Sequence, residues 1–118
     1  MKTENIYFSN INMNVEFHIG KSAKDNVDVI DAATHPDDLW FHVKNDSSCH
    51  VVAILPEKVT KKELHTIVKR GALLCKQNTK KTAFTNNPIA IIYTPIKNVC
   101  KTDILGQVIV HSSKTIII

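Results

Sequence analysis

The densest grouping of chemically capable side chains is Asp38-Leu39-Trp40-Phe41-His42-Val43-Lys44, followed shortly by Cys49-His50. Successive side chains of a strand alternate between faces, so Leu39, Phe41 and Val43 share one face and Trp40, His42 and Lys44 the other. Apolar runs at residues 39–44 and 49–55, separated by Asn45-Asp46-Ser47-Ser48, read as a hairpin that brings His50 beside His42. A register slip of one residue would separate the two rings. Three uses of such a cluster compete. Trp40 with two imidazoles makes a platform for bases or ribose, next to lysines that hold phosphate. His42 and His50 with Asp38 or Cys49 make a metal or acid–base site. In the third, Trp40 packs under a helix and the histidines hydrogen-bond backbone or Asp38. No His-x-x-x-His or Cys-x-x-Cys spacing pre-organises metal ligands, so neither a metal nor another cofactor is expected. A histidine pair is too common a constellation to define an enzyme, and no catalytic residue is assigned.

Two further segments suit anions. In Gly20-Lys21-Ser22-Ala23-Lys24 a lysine precedes a helix start, where free N–H groups and the positive end of the dipole favour phosphate. The glycine and spacing of a Walker loop are missing. In Tyr93-Thr94-Pro95-Ile96-Lys97-Asn98-Val99-Cys100-Lys101, two lysines four apart follow an apolar strand. An ordinary solvated loop is the competing reading there.

Charge points the same way. The chain of 118 residues carries a net charge of +4, and its halves are unlike. Residues 1–57 hold nine acids and four lysines, a balance of −5, whereas residues 58–118 hold eleven basic residues and two acids, a balance of +9. A basic face of this kind suits a polyanion, because phosphate contacts release counterions. Arg70 is the one arginine, so bidentate reading of guanine edges is nearly unavailable and contact should be mainly to backbone.

The elements that position these groups follow from periodicity. Residues 6–8 and 15–19 read as strands, and Ser22 as the N-cap of a helix with Ala23, Val27 and Ile30 on its apolar side. His35-Pro36 stops that helix. Thr60-Lys61-Lys62-Glu63 is a capping box, and Leu64, Ile67, Val68, Gly71, Ala72 and Cys75 continue at helical spacing. Lys62, Lys69, Arg70 and Lys76 line its opposite side, with Lys80 and Lys81 following. Residues 89–93 read as a central strand covered on both faces. Residues 108–110 and 115–118, flanking His111-Ser112-Ser113-Lys114, read as a second hairpin.

The expected fold is therefore α+β: a single domain over residues 1–118, with a mixed, mainly antiparallel sheet of six or seven strands and two main helices. At 43% hydrophobic and 22% charged residues, the composition excludes low-complexity disorder, collagen and coiled coil. No apolar run approaches the ~20 residues of a membrane helix, and no signal core follows Met1, so a soluble intracellular protein without membrane contact is expected. Cys49, Cys75 and Cys100 then read as free buried thiols.

The same segments, in the same order, resemble the NFACT-R domain. Gly20-Lys21-Ser22-Ala23-Lys24-Asp25-Asn26 is similar to its opening Gly-Lys…Asn box. Asp38-Leu39-Trp40-Phe41-His42-Val43 is similar to its most characteristic motif, and His50-Val51-Val52 to the Ser-His-Val-Val step that follows, with Cys49 in place of the small residue. Tyr93-Thr94-Pro95 with Lys97 and Lys101, then Gly106-Gln107-Val108, resembles its C-terminal box. The Tyr93 to Gly106 spacing is closer to the stand-alone members than to the large ribosome quality-control factors. The resemblance implies a cytoplasmic RNA-binding module, with tRNA or ribosomal RNA as ligand, DNA as a second candidate and the ribosome as an assembly partner. No small-molecule substrate is expected. The expected contacts are Lys21 and Lys24 for phosphate, Trp40, His42 and His50 for base or ribose, and Lys97 and Lys101 for backbone. The alternative is a non-catalytic protein-interaction module of the translation machinery.

Overall fold

A computed structural model describes residues 1–79 and 87–118. Six antiparallel strands form the main sheet in the order β1-β2-β4-β3-β5-β8: β1 (Lys2–Phe8), β2 (Met13–Gly20), β3 (Leu39–Val43), β4 (His50–Ile54), β5 (Ala90–Pro95) and β8 (Lys114–Ile117). A separate two-stranded ribbon joins β6 (Val99–Lys101) and β7 (Val108–Val110). Helix α1 (Ala23–Asp31) lies on one face of the main sheet and α2 (Lys61–Asn78) on the other. The α+β class and the antiparallel bias are as expected.

Local sequence sets most of these boundaries. The capping box forms in full: Thr60 N–H donates to Glu63 Oε1 at 2.9 Å, and Glu63 N–H to Thr60 Oγ1 at 3.2 Å. Ile67, Val68, Gly71, Ala72, Leu74 and Cys75 are the buried stripe of α2. That stripe packs on Phe17, Phe41, Val51 and Ile91, all fully buried, in the larger core. Gly71 is required by the contact with β3, since a Cβ there would lie 2.3 Å from Phe41 Cζ. The second, smaller core holds Trp40, Val29 of α1, Val52 and Val99. Among the described residues, no helix is long and apolar enough to cross a membrane.

Expectations are corrected at three places. Residues 108–110 and 115–118 do not pair with each other: β7 pairs with β6, and β8 pairs with β5, with Ile116 opposite Ile91. The chain leaves the ribbon after Val110 and joins the main sheet, where Ile116 adds to the larger core. Second, Val99–Lys101 is a strand, not a solvated loop, and Cys100 within it is exposed, not buried. Third, the buried side of α1 is Asn26 and Val29, while Ala23 is exposed. Asn26 turns inward because its Oδ1 accepts the His50 backbone N–H at 3.1 Å.

Candidate nucleic-acid interface

Trp40, His42 and His50 meet on the α1 side of the sheet. Trp40 opposite Val52 sets the β3–β4 register, and continuing it places His42 opposite His50. The imidazole centroids lie 5.0 Å apart at 81°. His42 stacks on the indole at 5.4 Å and 11°, while His50 meets it edge-on at 88°. Asn45, with φ 58°, takes the left-handed turn between the strands that an asparagine tolerates.

Hydrogen bonds fix both imidazoles. Trp40 Nε1–H donates to His50 Nδ1 at 3.2 Å. The proton of neutral His50 therefore sits on Nε2. His42 Nδ1–H donates to the Val43 carbonyl at 2.7 Å. His50 is 3% exposed, and burial, reinforced by the His42 ring nearby, pushes its pKa down to about 3. A ring held neutral at physiological pH has no imidazolium proton to give, so His50 is not poised as a general acid there. Among the described residues, no group of three or more metal-ligating side chains is present.

These rings line a cleft of about 520 Å³ between the first turn of α1, the β3–β4 loop and the 105–110 segment. Ser22 Oγ accepts the Asp25 N–H at 3.1 Å, so the helix N-terminus opens beside Lys21 at the cleft wall. Gly106 lets the opposite wall approach: its φ is +82°, and a Cβ would lie 2.8 Å from Ala23 Cα. Leu105 and Gln107 line that wall.

The seven expected contact residues separate into groups. Lys21, Trp40, His42 and His50 line one cleft, with Lys24 exposed on the adjoining turn of α1. Trp40 is only 1% exposed, so it acts there by holding the two imidazoles. Lys97 and Lys101 do not line the cleft. Lys97 pairs with Asp37 at 3.0 Å, and Lys101 pairs with Asp31 at the far end of α1, a helix of 9 residues and roughly 13 Å in length. Lys62, Lys69 and Arg70 are exposed on α2, across the sheet from the cleft. Lys76 Nζ donates to the Asn87 and Ile118 carbonyls instead. Lys80 and Lys81 lie outside the described residues.

Sequence reasoning missed the organising role of two groups. Asp38 is 1% exposed and accepts the N–H groups of Thr34, His35 and Leu55 at 2.8, 3.0 and 3.0 Å, tying the loop before β3 to the end of β4. Asn26 ties α1 to His50. A polar residue on the inward side of a short helix was the available signal for the second. Nothing in local pattern marks the first, whose partner Leu55 lies seventeen residues on.

An antiparallel sheet with helices on both faces and a ring cluster beside a helix N-terminus defines a small α+β binding module. The chain belongs to the family described as NFACT protein RNA binding domain, whose pattern matches residues 5–114. It is thus a member of a generic RNA-binding domain family. It is similar to coiled-coil domain-containing protein 25 of Danio rerio, at 35% identity over 104 residues, covering 84% of this chain and 48% of that protein. The homolog from Dictyostelium discoideum is 31% identical over 114 residues, covering 94% and 54%. The chain thus spans about half the length of these relatives. Its fold is also similar to the C-terminal part of the fibronectin/fibrinogen-binding protein from Streptococcus suis. That likeness has a TM-score of 0.75 at 23% identity, covering all of this chain and 45% of the other.

Proposed function

We propose that the cleft is an RNA contact site and that the protein is a non-catalytic, cytoplasmic module for tRNA or ribosomal RNA, working with the ribosome. The observation that carries this reading is the Trp40–His50 hydrogen bond at 3.2 Å, which locks an imidazole pair in a cleft flanked by Lys21 and the start of α1. Lys21 and Lys24 hold phosphate where the helix dipole adds to their charge. His42 and His50, held by Trp40, face base or ribose. Lys97 and Lys101 take backbone phosphates further along, and DNA is a weaker ligand through the same phosphates. Lys69 and Arg70 raise encounter rates from the other side of the molecule.

Fluorescence anisotropy against tRNA, single-stranded RNA and duplex DNA across a salt series tests this. Four to six phosphate contacts give a slope of log K on log salt of about −3 to −5. Changing Lys21 to Ala should reduce the slope by about one, and Lys97→Ala with Lys101→Ala by about two. Binding to every nucleic acid that vanishes near physiological salt would sink the reading. A protein partner is the second reading, favoured by Ile104 and Leu105, which are 58% and 60% exposed beside the cleft.

A further inference from the structure

Resting on that RNA-binding reading, we infer that the cleft takes one unpaired nucleotide and reads a hydrogen-bond acceptor on its base through His50 Nε2–H. The tautomer is the first step. Because Nδ1 accepts the indole N–H, the ring proton is on Nε2, at the opposite edge of the imidazole. Every solvent-inaccessible side-chain nitrogen and oxygen among the described residues has a hydrogen-bond partner. Nε2 of His50 has none, so this atom of a residue only 3% exposed reaches solvent, and the solvent beside it is in the cleft. It is a donor with a fixed direction, and the ring does not charge near neutrality.

The surroundings supply the rest of a nucleotide site. A cleft of about 520 Å³ falls in the usual range for a single small ligand, roughly 300–1,000 Å³. The half-buried His42 ring, stacked on the indole at 5.4 Å, lines the same cleft and puts aromatic surface beside the donor. Lys21 and the first turn of α1 lie at the wall to receive the phosphate on the same nucleotide. A base in a duplex is stacked and its pairing edge is engaged, so the site selects a single-stranded segment. Carbonyl oxygens of uracil meet the donor, and a base edge that offers only an amino group does not.

The test compares a short fluorescent oligouridine with a blunt RNA duplex, using the wild-type chain and His50→Asn. The asparagine carboxamide oxygen stands where Nδ1 stood and keeps an acceptor for Trp40, while the Nε2–H donor is lost. Oligouridine should bind about fivefold to tenfold more weakly to the variant, with duplex affinity unchanged. Titration of ¹⁵N-histidine protein should shift the His50 Nε2–H resonance with oligouridine and not with duplex, a readout that needs no variant. Oligouridine binding that leaves both the resonance and the variant's affinity unmoved overturns the inference and leaves the RNA-binding reading standing. A wild-type chain that binds no RNA at all overturns both.

Discussion

The two faces of the main sheet are built to opposite rules. On the α2 face, Phe17, Phe41, Val51 and Ile91 are sealed beneath a helix of 18 residues, with Phe41 against the bare Cα of Gly71. On the α1 face a helix of 9 residues and a two-stranded ribbon cover less, and the gap between them is the cleft. One alternating strand feeds both: Leu39, Phe41 and Val43 enter the larger core, while Trp40 and His42 stand on the cleft side. Stability is thus concentrated on one face, and polar groups that would be costly in a sealed core are placed on the other, where each hydrogen bond has a partner or solvent.

Breaking the sealed face gives the largest expected effect. Phe41→Ala should lower stability by about 3–5 kcal/mol, measured by urea denaturation. The molecules that remain folded should bind RNA as the wild type does, because no atom of Phe41 lines the cleft. A loss of affinity that exceeds the loss of folded protein would show that the two faces are not separable.

The open face carries an acid sensitivity at His50. The unfolded chain takes up a proton at His50 as pH falls through the ordinary value of 6.5, but the folded ring stays neutral down to about 3. Protons bind the unfolded state preferentially in that window, so stability is complete above pH 6.5 and is lost as pH falls toward 3. The loss is on the order of 5 kcal/mol, because each pH unit between the two values is worth about 1.4 kcal/mol. Stability measured between pH 7 and 4 should fall in the wild type and be flatter in His50→Asn. Equal pH profiles would assign the acid loss to other groups.

This division was legible wherever it is local. The capping box, the Ser22 cap, the alternation of residues 39–44 and the meeting of His42 with His50 all rest on groups within about ten residues of each other. What escaped was long-range. The polar stretch 111–114 marks a reversal but not which strand the returning chain joins, and β8 found β5 because Ile116 completes the larger core. Val99–Lys101 is too short for its period to register. Lysine spacing likewise says nothing of partners: Asp37 and Asp31 lie 60 and 70 residues from the lysines they hold.

Those two ion pairs give the smallest expected effect and the sharpest view of how far the binding face extends. Lys97 and Asp37 have side chains 56% and 75% exposed, and Lys101 and Asp31 44% and 58%. Exposed pairs of this kind contribute about 0–1 kcal/mol each, so removing the acids should scarcely change the fold. Their effect on a polyanion is different, because each carboxylate both occupies a lysine and repels a passing phosphate. If the strand leaves the cleft and runs along α1, Asp31→Asn with Asp37→Asn frees two cations in its path. RNA affinity near physiological salt should then rise about twofold to fivefold, because the two lysines meet phosphate without a competing carboxylate. An unchanged affinity would end the binding face at the first turn of α1. Lys97 and Lys101 would then be structural ties that pin the 95–101 segment to the acidic end of that helix.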